Sequence, residues 1–145
     1  MGQIPLVLLL ALQTMGISVS MGNPNCRSNP LYMGEFIPVK ETLVICSQNA
    51  KAERIPVERV VRHEIVHAIH QRFRLDSLTL TPEPLFTVLV QKHLPSEEVL
   101  SVLAGYDKDL FQQEIEARLL EKVMTNDQLA SLGIASQAYY DATKL

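Results

Sequence analysis

His63, Glu64 and His67 stand in the order H-E-x-x-H within the stretch RHEIVHAIHQ, which holds three of the chain's four histidines. Residues four apart on an α-helix share a face, one turn above the other. His63 and His67 can therefore turn both imidazoles toward one zinc ion, at the Zn–N distance of about 2.0–2.1 Å. Glu64 follows the first ligand by about 100° around the helix, off the direct line to the metal but within reach of a water bound to it. Zinc lowers the pKa of such a water toward about 7, and a neighbouring carboxylate can take its proton as it attacks a carbonyl. The same carboxylate can then protonate the departing amine. The pattern predicts peptide-bond hydrolysis by a zinc-bound water with Glu64 as general base. A solvated helix face would also explain a lone histidine pair. Here valines and isoleucines fill the intervening positions, and polar groups on so buried a helix need a partner.

A catalytic zinc site takes three protein ligands and keeps one position open. After His67 the chain runs AIHQRF, so no third histidine of an H-E-x-x-H-x-x-G-x-x-H motif follows. The later segment QQEIEARLLE offers Glu114 and Glu116, with Glu121 more distant. On a helical wheel Glu116 falls among Leu119, Leu120 and Val123, which favours it for burial, whereas Glu114 falls near Arg118 and Glu121. Glu114 with Arg118 at i+4 also suits a surface ion pair worth a few tenths, about 0.2–0.5 kcal/mol. The pattern alone leaves the choice open. His70, three residues past His67, is placed outside the site, and His93 has no partner in the sequence. Tyr106, Tyr139 and Tyr140 carry hydroxyls of a kind that can steady an oxyanion.

The elements that must position these groups follow from periodicity and punctuation. Glu35 to Val39 and Thr42 to Cys46 read as two short strands of a hairpin turning at VKET. The Pro/Asn/Gly-rich stretch before them reads as loop, and the polar run from Ser47 to Ile55 as a connector. Pro56 suits the first position of a helix that runs to about Phe73. Further helices are expected over Leu85 to Leu94, from an N-cap at Ser96 to Gly105, from Asp107 or Asp109 through DLFQQEIEARLLEKVMT, and after Thr125-Asn126-Asp127. The expected class is α+β: a short β-hairpin with an edge strand, then a helical bundle carrying the H-E-x-x-H helix and a Glu-bearing helix.

The 145 residues suffice for one domain with one modest core. A net charge of −3 and the lack of any Lys/Arg run argue against a nucleic-acid surface. The first 26 residues carry no charged side chain, and Ile4 to Leu12 form an apolar run. That run has the length of a signal-peptide core and falls short of the roughly 18 residues of a membrane span. Small residues at Ser18-Val19-Ser20 suit cleavage after Ser20. Residues 1–20 are thus expected to be a leader and residues 21–145 a single domain, exported to the periplasm or secreted, with no stable span after leader removal. The other readings of the run are an uncleaved anchor, a buried N-terminal strand, or a start at Met15 or Met21. Cys26 and Cys46, an even pair in an exported chain, suggest one disulfide worth about 3 kcal/mol.

H-E-x-x-H followed some tens of residues later by E-x-x-A, here Glu114 to Ala117, resembles the glutamate zincins. The segment LVICSQNA…RVVRHEIVHA is similar to the active-site stretch of the mitochondrial ATP-synthase-assembly metallopeptidases and of small bacterial zincins. The likeness spans Leu43 to His70 and the Glu114 helix; the cysteines that follow the motif in the mitochondrial family have no counterpart here. The resemblance implies a small zincin-like domain, a zinc metalloendopeptidase, with His63, His67 and Glu114 as zinc ligands and peptide or unfolded protein as substrate. It leaves Glu116 as a buried polar residue, and implies that Thr42 to Cys46 is an edge strand pairing with substrate. It equally admits a zinc-stabilised binding or assembly module without peptidase activity.

Overall fold

The computed structural model describes residues 3–144; residues 1, 2 and 145, at the outer ends of the expected leader and domain, lie outside the described residues. The chain is α+β, a small three-stranded sheet set against helices. Its centre is α4, Val57–Arg72. Pro56 precedes it in extended conformation and is its N-cap rather than its first turn. Glu58 in the first turn and Arg72 in the last complement the helix dipole. Val57, Val60, Val61, Ile65, Val66, Ala68 and Ile69 are buried. Apolar contact on most sides follows from what surrounds the helix: α7, Phe111–Val123, α8, Asn126–Ala142, and the sheet. Thr125 caps α8 through a capping box with Gln128, which explains why the polar break there begins a helix.

The expected hairpin is present as β2, Gly34–Ile37, antiparallel to β3, Thr42–Ile45, with a 3₁₀ turn at Pro38–Lys40. A further strand, β1 (Ser18–Ser20), pairs parallel to β3 on its other side, so the order is β1-β3-β2. The expectation that Thr42 to Cys46 forms an edge is therefore corrected. β3 is central, its hydrogen-bonding groups taken on both sides, and β2 is the strand left at the edge. Gly34 of β2 lies so close to α4 that a Cβ there would stand 2.9 Å from a Val60 methyl carbon and 2.5 Å from the Val44 carbonyl oxygen. Only glycine lets the strand settle directly over the helix at Glu64.

Other local readings shift by small amounts. The polar connector after β3 is a short helix, α3, Ser47–Ala52, and the loop before β2 contains α2, Pro24–Ser28. α5 is Leu85–His93 and α6 is Ser96–Gly105; Pro95, not Ser96, occupies the N-cap of α6. Cys26 and Cys46 are joined as a disulfide with Cα atoms 5.4 Å apart. Nearby, the Asn49 amide donates to the carbonyls of Cys26, Asn29 and Tyr32 at 2.8–3.0 Å. Bridge and amide together hold the segment that leads into β2.

The stretch read as a leader is placed within the fold as α1, Leu6–Thr14, and β1. Leu8, Ala11, Leu12, Met15 and Ile17 are buried in the core, and α1 packs on α8. Arg72, itself buried, ties this region together by donating to the Met15 carbonyl at 3.0 Å, to Gln137 at 2.6 Å and to the Glu41 carboxylate. Burying one Leu or Met side chain stabilises by about 1.5–3 kcal/mol, against a typical total of about 5–15 kcal/mol. A chain beginning at Met21 is therefore expected to lose its cooperative thermal transition. Circular-dichroism melts of residues 21–145 beside the full chain test this, and N-terminal sequencing of the mature protein shows which form is made.

Candidate metal centre

Helices α4 and α7 face each other through a contact that Arg62 fixes. Its guanidinium donates to the Glu121 carbonyl at 2.6 and 3.1 Å and also to the Met124 carbonyl and the Asn126 side chain. These are carbonyls that the end of α7 leaves without helical partners, so the register between the two helices is set beside His63. Fully buried Ala117 offers a small side chain on the same helix.

Within that register Glu114 of α7 meets both histidines of α4. Its carboxylate lies 3.0 Å from His67 Nε2 and 3.2 Å from His63 Nε2, and the two Nε2 atoms are 3.2 Å apart. Four ligands at about 2.05 Å around tetrahedral zinc stand about 3.3 Å from one another. The three atoms thus have the spacing of three corners of such a site, and they form a group able to hold a metal ion. Donor chemistry points the same way. With His63 Nδ1 donating to Glu121, its Nε2 presents a lone pair toward the Glu114 oxygen, an arrangement that calls for a cation or a proton between them.

Sequence pattern left Glu114 and Glu116 unresolved, and the structure places them differently. Glu116 is fully buried and turned away from His63 and His67. It accepts from His70 Nε2 at 2.7 Å and from the backbone N–H groups of Leu80 and Thr81 at 2.7 and 2.8 Å. These bonds outweigh burial and keep its carboxyl low, while burial pushes the His70 imidazolium down. His70 is therefore a neutral donor within a structural pair, and its buried Nδ1 has no hydrogen-bond partner. His93 is exposed at the end of α5.

Glu121 takes a role that spacing alone had not assigned. It lies two turns beyond Glu114, accepts from His63 Nδ1 at 3.1 Å, and pairs with Arg59 at 3.0 Å. The available signal was the i+7 interval, which returns a helical side chain to nearly the same face. A carboxylate on the far nitrogen fixes the tautomer of a ligating histidine and raises its basicity. Glu121→Gln is expected to weaken zinc binding about 10–100-fold, read by competition with a chromogenic chelator. Arg118, the i+4 neighbour, holds the second Glu114 oxygen at 2.9 Å. The pair is largely buried rather than a solvated surface bridge.

Glu64 is buried on the cleft side of α4. Burial raises its pKa, partly opposed by the charges of His63 and His67. A carboxylate so raised is a better proton acceptor near neutral pH than an exposed one. The cleft has a volume of about 1000 Å³ and runs between β2 on one side and α6 with α7 on the other. Among the candidate tyrosines, Tyr106 lines it; Tyr139 packs against Phe73, and Tyr140 lies under Arg72 and Arg74. Tyr32 also lines the cleft, a residue in a loop where no periodicity could have marked it.

His63 provides a pH signature. Burial alone would lower its imidazolium, but hydrogen bonds to Glu114 and Glu121 outweigh burial and raise it from the ordinary 6.5 to about 10. With the folded value raised, the stabilisation is complete below about 6.5 and is lost as pH rises through about 10. The chelator-treated chain is expected to lose thermal stability across that window. The zinc-loaded chain is expected to lose less, because the ion takes the place of the His63 proton. Melting temperatures measured against pH with and without chelator distinguish the two.

No known protein family, curated protein or solved structure matches this chain.

Proposed function

We propose that the chain is a zinc-dependent metallopeptidase of the glutamate-zincin type, cutting peptide or unfolded protein. The observation that carries this reading is the convergence of His63, His67 and Glu114 at zinc-ligand spacing beside buried Glu64, in one open cleft. Zinc, when bound by those three residues, supplies the Lewis acidity that activates water and polarises a carbonyl. Glu64 takes the proton of the attacking water and returns it to the departing amine. Glu121, itself paired with Arg59, holds the His63 ring, and Arg118 holds Glu114, so these side chains need little rearrangement during reaction. Tyr106 lines the cleft, its pKa raised by burial of the hydroxyl and by the Glu114 charge, and offers a hydroxyl donor on the cleft wall.

An extended peptide would add to the free edge of β2, since Gly34, Glu35 and Phe36 line the cleft beside the histidines. Main-chain hydrogen bonds would then hold the substrate along the strand. Work in an exported, oxidising setting, with α1 and β1 retained in the fold, is part of the same proposal. The Cys26–Cys46 bridge supports it, because such bonds persist where thiols are not kept reduced. The test is hydrolysis of a denatured protein by the zinc-loaded chain, abolished by chelator and restored by added zinc. A chain that binds one zinc and cleaves nothing would instead favour a zinc-stabilised binding module.

A further inference from the structure

The cleft's charges are mostly committed to one another. Arg59 pairs with Glu121, Arg118 with Glu114, and Glu98 with Lys122. Arg74 donates to Thr143 and lies over the Tyr140 ring. Glu35 differs: it lines the same cleft, half-buried, and forms no ion pair among the described residues. It stands in the middle of β2, opposite Val44 of β3, so its other flank is the free edge of the sheet. It is also close to the reacting end of the cleft. After burial it is the main cause that raises Tyr32, and it adds the smallest of several charge effects on Glu64. The Tyr32 hydroxyl beside it is covered from solvent without a hydrogen-bond partner.

We propose that Glu35 selects a cationic side chain, lysine or arginine, in the peptide that lies along β2. The proposal rests on the peptidase reading for the placement of the peptide and adds to it the class of sequence recognised. In an antiparallel or parallel pair, residues directly opposite project to the same face with Cβ atoms about 4.5–5.5 Å apart. A Lys or Arg across from Glu35 would meet an acid that forms no ion pair among the described residues. An acidic residue in that place would meet Glu35 with Glu64 nearby, two like charges. Opposite-charge cross-strand pairs favour binding modestly when exposed and more so in a partly desolvated cleft, so a preference of roughly five- to tenfold is expected.

The test uses the full-length zinc-loaded chain carrying Glu64→Gln, so that binding is read without cleavage. Fluorescence anisotropy compares three labelled decapeptides of Thr, Val and Ser that differ only in a central Lys, norleucine or Glu. The Lys peptide is expected to bind roughly five- to tenfold tighter than the norleucine peptide, with the Glu peptide weakest. Adding Glu35→Gln should bring the Lys peptide close to the norleucine peptide, and adding Glu35→Lys should reverse the order. Melting curves establish that each variant is folded, and the near-isosteric Glu35→Gln carries the test if Glu35→Lys is not. An unchanged Lys preference in Glu35→Gln, no preference in the parent, or no binding of any peptide would overturn the proposal. The peptidase reading fails separately: the wild-type, zinc-loaded chain would leave uncut a Lys peptide that the Glu64→Gln chain binds.

Discussion

Glu64→Gln is expected to lower the rate of peptide hydrolysis by about 10²–10⁴-fold, the usual worth of a positioned general base, and to leave zinc binding intact. Glutamine keeps the size and much of the polarity of the side chain but cannot accept the water's proton. The substitution also removes a carboxylate that is costly to bury, whose pKa burial already pushes upward. The variant is therefore expected to be at least as stable as the parent. Rate loss without loss of stability or of metal is the combination to look for, measured by initial-rate assays beside metal analysis and thermal melts. Loss of zinc together with activity would assign Glu64 to holding the site rather than to proton transfer.

Glu114→Ala and Glu116→Ala are expected to fail in opposite ways, although the residues are two apart on one helix. Removing the Glu114 carboxylate takes away the atom that meets both histidines at 3.0 and 3.2 Å. Zinc affinity should fall by more than the roughly 10–100-fold that a merely supporting partner is worth. Fold stability should change less, since removing the acid leaves the half-exposed face of His67 to water. Glu116→Ala leaves neutral His70 and two backbone N–H groups without their acceptor in the interior. Each buried donor left without an acceptor costs about 1–3 kcal/mol, together a large share of a typical total of about 5–15 kcal/mol. Urea unfolding and zinc titration on both variants separate the roles. Equal zinc loss in the two would dissolve the distinction.

The contrast between these two glutamates also marks how far the sequence could be read. H-E-x-x-H is local: a helix over Val57 to about Phe73 places His63 and His67 on one face whatever surrounds it, and that helix is present. The choice between Glu114 and Glu116 is not local. Both are buried, so the apolar character of a helix face does not decide between them. What separates them is what stands opposite, His63 and His67 for one, His70 and the Leu80–Thr81 backbone for the other. That depends on the α4–α7 register set by Arg62, which no spacing along the chain reveals.

The sheet was legible in its hairpin and not in its order. β2 and β3 show as apolar, β-branched runs with a turn between them, and they pair as neighbours in sequence. β1 is three residues long and follows an uncharged apolar run whose composition equally suits a leader. Its pairing with β3 makes β3 central and moves the open edge to β2, where Gly34 brings the strand onto α4. Glycine at position 34 is the one residue in that strand whose reason lies entirely in the third dimension.

Metal content per chain tests the central claim most directly. Protein purified without chelator and brought to equilibrium with zinc, then freed of unbound metal, is expected to hold one zinc per chain. That ion should be lost on prolonged chelation, with a lower melting temperature at pH 9. Protein that retains no stoichiometric zinc, and whose melting temperature chelator leaves unmoved, would contradict the account at its base.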